Sequence, residues 1–117
     1  MIGSVKSPFT TSKIEKSSIV HQHLSDGEEI LNVYRSLNIY AIFTNKRIIF
    51  TYAENTDGES AIEFIPYRSI VRLDYLDSEE LNTCNVEIYF PDCIVIQFSF
   101  PSQSEATSLI KSIEKHI

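Results

Sequence analysis

The sequence is poor in the residues on which several classes of protein depend. Among 117 residues it has three glycines, two cysteines, three histidines and no tryptophan. The glycines are isolated from one another, which excludes a glycine-rich loop for binding phosphate. No serine lies in a G-x-S-x-G nucleophile motif, and no nucleophile has a base at a recognisable spacing. We therefore expect neither an enzyme nor a bound cofactor.

Positive charge is also scarce. Ten basic and sixteen acidic side chains give a formal net charge of -6. Nucleic acid and anionic lipid surfaces are bound through a basic footprint, so we expect neither as a partner. No apolar run approaches the ~20 residues of a membrane helix, and residues 1–11 lack the apolar core of a signal peptide. The sequence therefore predicts a cytoplasmic protein.

The few histidines and cysteines do not have the spacing of a metal site or a disulfide. His21 and His23 are two residues apart and would point to different sides of a helix, and His116 is distant in the sequence. Cys84 falls on the core face of a predicted strand and Cys93 in a turn, about 20 Å away. A disulfide needs Cα atoms within ~7 Å. We expect no metal site and no internal disulfide.

What the chain does contain is typical of a single, strand-rich globular domain. It is 43% hydrophobic and 22% charged, with seven phenylalanines and six tyrosines. Aromatic and β-branched residues favour strands, and 117 residues suit one domain. We predict a flexible segment over 1–11 and one domain over 12–117, with its strands within 29–100.

The predicted strands are separated by turn signals. Asn45 tolerates the left-handed backbone of a tight hairpin, and Asp57 followed by Gly58 is the strongest two-residue turn signal. Another turn is expected around Pro66. The first five predicted strands cover 30–36, 39–43, 47–53, 60–65 and 69–76.

The last two predicted strands alternate most regularly between apolar and polar residues. A one-residue slip would turn an apolar face outward, so the alternation fixes the register. The predicted cross-strand pairs are Phe90 with Ile94, Ile88 with Ile96, and Val86 with Phe98.

Two capping boxes predict helices at the ends of the domain. Ser12 with Glu15 begins a predicted helix over 13–24, and Ser102 with Glu105 begins another over 103–117. The second helix has apolar residues at helical spacing and is expected to plug the open end of a barrel. These residues are Ala106, Leu109, Ile110, Ile113 and Ile117.

Three motifs carry a resemblance to a known family. They are FTNKRIIF at 43–50, IPYRSIV at 65–71 and DGE at 26–28. With their spacing and the closing helix, they resemble the bacterial pleckstrin-homology-like domains. The resemblance implies a mainly β fold with flanking helices: a barrel of about seven antiparallel strands in two near-orthogonal sheets, an N-terminal helix and a C-terminal capping helix. It also implies a homo-oligomeric ring, for which five subunits are expected.

One feature departs from the wider superfamily. Its phosphoinositide-binding members are known for a basic loop between the first two strands. Here the corresponding turn, residues 35–39, contains a single cation, Arg35. Together with the net charge of -6, this argues against phosphoinositide binding.

Three cations are the candidate contact residues: Lys46, Arg47 and Arg68. They could receive a phosphate or a partner's carboxylate. The structural alternative, which we favour, is that Lys46 and Arg47 belong to a hairpin and Arg68 to a corner between sheets.

The sequence leaves two hypotheses for function. The preferred one is a non-catalytic interaction module that self-assembles, with strand edges or the N-terminal helix as contact surfaces; another protein as partner is not identified. The alternative is a peripheral membrane or small-anion binding module that uses the three cations.

Overall fold

A computed structural model describes residues 7–13, 19–52 and 61–117, with the side chain of Ile19 left out. This part of the chain forms eight strands and one α-helix. Two short 3-10 helices, Ile19–His23 and Tyr67–Ser69, complete it. The elements are β1 (Thr10–Thr11), β2 (Ile30–Ser36), β3 (Ile39–Thr44), β4 (Arg47–Tyr52), β5 (Ala61–Pro66), β6 (Arg72–Ser78), β7 (Thr83–Phe90), β8 (Ile94–Phe100) and α1 (Gln103–His116).

The strands form two antiparallel sheets. The first has the order β1-β2-β3-β4-β5, and the second has the order β6-β7-β8. The predicted two-sheet, mainly β architecture is confirmed, but the expectation of a barrel of about seven strands is wrong, because the two sheets do not close on one another. The described residues form eight strands, and β5 does not pair with β6. The 3-10 helix Tyr67–Ser69 follows Pro66, which cannot donate to a ladder, and it separates these two strands.

The main core lies between the sheets and under α1. Tyr34, Phe43 and Phe98 meet there edge to face, with ring centroids 5.2 to 5.6 Å apart. The helix buries Ala106, Leu109 and Ile113 against this core, so the predicted C-terminal capping helix is confirmed.

The C-terminal helix begins as its capping box predicts. Ser102 is the N-cap, and its Oγ accepts a hydrogen bond from the backbone N–H of Glu105 at 3.3 Å. The last hairpin also has the predicted register, because Phe90 lies opposite Ile94 and Val86 opposite Phe98. Asp92 and Cys93 adopt positive φ in the turn that joins its strands.

A second, smaller core covers the outer face of the five-stranded sheet. Val20, from the first 3-10 helix, is fully buried with Ile42 and Ile49. Because β3 and β4 are thus covered on both faces, each contains four consecutive buried residues. This explains why their sequences are continuous apolar runs without alternation.

The predicted N-terminal α-helix over 13–24 is wrong. Lys13 is not helical, residues 14–18 lie outside the described part of the chain, and Ile19–His23 form a 3-10 helix. Strand pairing extends to the residue at which the helix was predicted to begin. β1 pairs with β2, and the N–H of Ser12 donates to the carbonyl of Val33 at 2.9 Å.

The predicted flexible segment over 1–11 is wrong for its last residues. Phe9 is fully buried and packs on Phe50 and Phe98. Its backbone exchanges hydrogen bonds with β8, since its N–H donates to Gln97 at 2.8 Å and its carbonyl accepts from Ser99 at 2.9 Å. Phe9 therefore joins the two sheets. Residues 1–6 lie outside the described residues.

Two turn predictions have different outcomes. Asp57 and Gly58 lie outside the described residues. Asn45 occupies the predicted hairpin between β3 and β4, but positive φ in the described residues occurs elsewhere, at Gly27 among others. The expectation of a left-handed Asn45 is therefore wrong. The side chain of Asn45 instead forms hydrogen bonds with the backbone of Gly27 and Glu29.

No helix in the described part of the chain is long and apolar enough to cross a lipid bilayer.

Candidate functional site

The most organised polar cluster surrounds Glu28, at the entry to β2. Arg47, the first residue of β4, donates from Nη2 to Oε1 of Glu28 at 2.9 Å and from Nε to Oε2 at 3.0 Å. The Glu28 side chain is fully buried, whereas that of Arg47 is 27% exposed. This bidentate geometry is the strong form of an arginine–carboxylate pair. It fixes the segment before β2 to the start of β4.

Further donors complete the environment of the Glu28 carboxylate. The Thr44 hydroxyl donates to Oε2 at 2.6 Å, and the Ser25 backbone N–H donates to Oε1 at 3.0 Å. Burial acts to raise the pKa of Glu28, but the hydrogen bonds from Arg47, Thr44 and Ser25 outweigh it and lower that pKa to about 2. Glu28 is therefore ionised at neutral pH.

The hairpin between β3 and β4 contacts the same segment. The Asn45 side chain accepts from the N–H of Glu29 at 2.8 Å and donates to the carbonyl of Gly27 at 2.9 Å. Lys46 Nζ donates to the carbonyl of Asp26 at 2.7 Å. Gly27 has φ of +76°, a conformation that glycine adopts without strain. Two of the motifs found in the sequence, DGE and FTNKRIIF, are thus in direct contact.

Arg47 also holds the first 3-10 helix in place. Its Nη2 donates to the carbonyl of His23 at 2.8 Å, and its guanidinium lies over the ring of Phe64 at 4.3 Å. The rings of His23 and Phe64 are 5.9 Å apart. The guanidinium therefore contacts the 3-10 helix, the Glu28 carboxylate and β5 at once.

The third predicted cation, Arg68, is exposed on the 3-10 helix that follows β5. The neighbouring Tyr67 is buried and its hydroxyl donates to the carbonyl of Thr44. Burial, with the nearby charge of Glu28, raises the pKa of the Tyr67 hydroxyl, so it remains a donor. The structure therefore brings Lys46 and Arg47 together in one cluster and places Arg68 at the same end of the sheet.

A groove of about 640 Å³ lies between β2, the start of α1 and the segment around Ser12. His21 lines this groove, and its Nε2 is buried without a hydrogen-bond partner among the described residues. Sequence reasoning missed the groove because its walls come from four separate parts of the chain.

The sulfur and histidine residues are dispersed. Cys84 and Cys93 are free thiols, and Cys84 lies opposite Phe100 as the register predicts. The described residues contain no cluster of three His, Cys, Asp or Glu side chains that could hold a metal ion.

Two of the edge strands in the described part of the chain, β5 and β6, face the gap between the two sheets along the sequence. β5 is the last strand of the five-stranded sheet and β6 the first of the three-stranded sheet, and each pairs with one neighbour only. Apolar side chains are exposed on both strands, Phe64 on β5 and Leu76 on β6. An open edge presents unpaired backbone groups that can accept another strand.

The fold is that of a pleckstrin-homology-like protein: two antiparallel sheets around one core, with a C-terminal helix packed on it. A family model for the bacterial PH domain matches residues 1–117, so the chain belongs to that family. No curated protein matches it.

Solved structures agree in fold. A DUF1696 family protein with a pleckstrin-homology domain from Shewanella loihica PV-4 has a TM-score of 0.70 at 14% identity, over 94% of this chain and 97% of that chain. A pleckstrin homology domain from Shewanella amazonensis SB2B has a TM-score of 0.54 at 18% identity, over 83% and 81%. A PH domain containing bacterial protein from Exiguobacterium sibiricum 255-15 has a TM-score of 0.63 at 14% identity, over 92% and 61%. At such identities the likeness concerns the fold.

Proposed function

We propose that this bacterial PH domain is a non-catalytic interaction module that assembles with copies of itself into a ring through its open strand edges. The observation that carries this proposal is that β5 and β6, of six and seven residues, each have one edge unpaired within the described residues. Monomeric proteins usually shorten, cover or charge such edges.

The exposed apolar side chains support an interface at these edges. Val71, just before β6, is 68% exposed and Leu76 is 46% exposed. Aliphatic side chains next to a free strand edge are the composition expected where another strand adds to a sheet. Burial of both would contribute to association through the hydrophobic effect.

The alternative of a membrane or anion binder receives less support from the cluster. Arg47 is engaged by the Glu28 carboxylate and the His23 carbonyl, and Lys46 donates to the Asp26 carbonyl. A phosphate would have to compete with these contacts. The arrangement therefore favours the structural interpretation of Lys46 and Arg47.

A point variant on one edge tests the proposal. Leu76→Lys places a charge on the exposed face of β6 and is expected to lower the assembled fraction measured by light scattering behind a sizing column. Leu37→Lys is the matched control, because Leu37 is 72% exposed in the turn between β2 and β3, away from both edges. A wild-type chain that stays at the single-chain mass of 13.4 kDa at tens of micromolar would overturn the proposal.

A further inference from the structure

We infer that the groove between β2 and the start of α1 binds an extended peptide of another protein that carries one acidic and one basic side chain. The groove is separate from the edges of β5 and β6, so this function does not depend on the proposed self-assembly. Its volume of about 640 Å³ lies in the range of ligand-binding clefts. A strand on one side and a helix on the other allow backbone hydrogen bonds and side-chain contacts to the same bound chain.

The first half of β2 presents an open edge to this groove. β1 pairs with β2 at Tyr34 and Arg35, and Ser12 adds one further hydrogen bond to the carbonyl of Val33. Residues 30–32 have no strand partner on this side within the described residues, and all three line the groove. A peptide strand can therefore continue the sheet where β1 ends.

A β-bulge lies in this stretch of β2. The register with β3 shifts between Ile30 and Asn32, so Leu31 has no residue opposite it. Its side chain is 41% exposed and lines the groove. Bulges interrupt a ladder and redirect a side chain, and they are common next to functional sites. Leu31 is therefore available to contact an apolar side chain of a bound peptide.

Two opposite charges in the groove are left unpaired. Lys13 and Glu105 both line it and are both exposed, yet neither forms an ion pair with a described residue. The Ser102 hydroxyl donates to Glu105 at 3.2 Å, which leaves the negative charge uncompensated. Lys13 follows β1, whereas Glu105 belongs to the first turn of α1. A ligand with both an anionic and a cationic group is complementary to this pair, and a simple anion or cation is opposed by one of them.

The remaining polar groups suit a peptide backbone. The groove is lined by the hydroxyl residues Ser12, Ser104 and Ser108 and by the amide residue Asn32. Such side chains hydrogen-bond to both N–H and carbonyl groups. His21 also lines the groove, and its buried Nε2 has no partner among the described residues. Buried polar atoms are normally hydrogen-bonded, so this one indicates a partner that the free chain does not supply.

Selection from a phage library of random ten-residue peptides, with the immobilised chain as bait, tests the charge pattern. Wild type is expected to enrich peptides with an acidic and a basic residue at a constant spacing. Lys13→Gln should remove the preference for the acidic residue, and Glu105→Gln the preference for the basic one. Lys115→Gln and Glu114→Gln are the matched controls, because both residues are exposed near the end of α1 and outside the groove. They should enrich the same peptides as wild type.

An enriched peptide, synthesised with blocked ends, then locates the contact. In titration calorimetry, Lys13→Gln and Glu105→Gln should each weaken its binding about two- to fivefold, as expected for one exposed ion pair. Its addition should slow amide hydrogen exchange in residues 30–33. No enrichment, a preference that both variants share with wild type, or protection confined to another part of the chain would overturn the inference. A monomeric chain that binds the peptide would refute self-assembly and leave this site supported.

Discussion

Replacing Arg47 with methionine is the most informative perturbation of the polar cluster. The substitution keeps the apolar stem of the side chain and removes its guanidinium. The Glu28 carboxylate then loses two donors, at 2.9 and 3.0 Å, while its side chain remains fully buried. Contacts of Arg47 with His23 and Phe64 are lost at the same time. The first 3-10 helix should therefore be held less firmly on the sheet.

The expected cost follows from the geometry of the ion pair. Removing one partner of a buried pair costs about 3–5 kcal/mol, because the remaining charge is left uncompensated. Here Arg47 is 27% exposed, and Thr44 and Ser25 still donate to the carboxylate. Solvent and these donors reduce the penalty, so we expect a loss of about 2–3 kcal/mol in the free energy of unfolding.

Urea unfolding at one fixed protein concentration measures this loss. Lys46→Met is the matched control, because it removes an adjacent, exposed cation that is not ion-paired within the described residues; its cost should stay within about 0.5 kcal/mol. In Glu28→Gln/Arg47→Met the effects should be less than additive, since both substitutions remove the same pair. Equal stabilities of Arg47→Met and Lys46→Met would refute the reasoning.

Three further predictions follow from the described contacts. The pKa of Glu28 is lowered to about 2 from an ordinary 4.5, so its contribution to the free energy of unfolding is complete above pH 4.5 and is lost as the pH falls toward 2. Glu28→Gln should therefore flatten the dependence of stability on pH in this range. A pH dependence equal to that of wild type would contradict the prediction. Phe9→Ala should lower the free energy of unfolding in urea by about 3–5 kcal/mol, because the ring is fully buried against Phe50 and Phe98. A loss below about 1 kcal/mol would show that Phe9 does not join the sheets. Gly27→Ala should lower the free energy of unfolding by about 1–2 kcal/mol through the positive φ of this position alone, since the Cβ that alanine adds would meet no atom within 4 Å. An unchanged free energy of unfolding would contradict this.

The C-terminal half of the fold could be predicted closely because its signals are local. In the last hairpin, alternation and the turn specify one register, and Ile88 lies opposite Ile96 as expected. In α1, the capping box at Ser102 and the apolar spacing agree with each other. Where every local preference points to the same structure, sequence reasoning succeeds.

The N-terminal region shows where local signals fail. Ser12 and Glu15 have the sequence spacing of a capping box, yet the N–H of Ser12 donates to the carbonyl of Val33 in β2. The burial of Phe9 depends on β8, which lies almost ninety residues further along the chain. A two-residue strand has no periodicity of its own, so only tertiary pairing defines β1. Long-range contacts of this kind are not visible in a local pattern.

The polar cluster could be predicted in part. Lys46 and Arg47 were identified as notable cations, but the partner of Arg47 is Glu28, 19 residues earlier. Adjacent acidic residues are normally exposed, so the sequence Glu28-Glu29 gives no indication that Glu28 is buried. The DGE motif does contain a signal for this burial: Gly27, at positive φ before an acidic residue, allows the chain to turn and direct Glu28 inward. The expectation for Asn45 failed since its side-chain hydrogen bonds outweigh its backbone preference.

The solution mass of the wild-type chain tests the central claim most directly. Light scattering behind a sizing column, over a concentration series reaching tens of micromolar, is predicted to give a multiple of the 13.4 kDa single-chain mass, with five subunits expected for the ring. A mass that remains at 13.4 kDa throughout the series would contradict self-assembly through the open edges of β5 and β6.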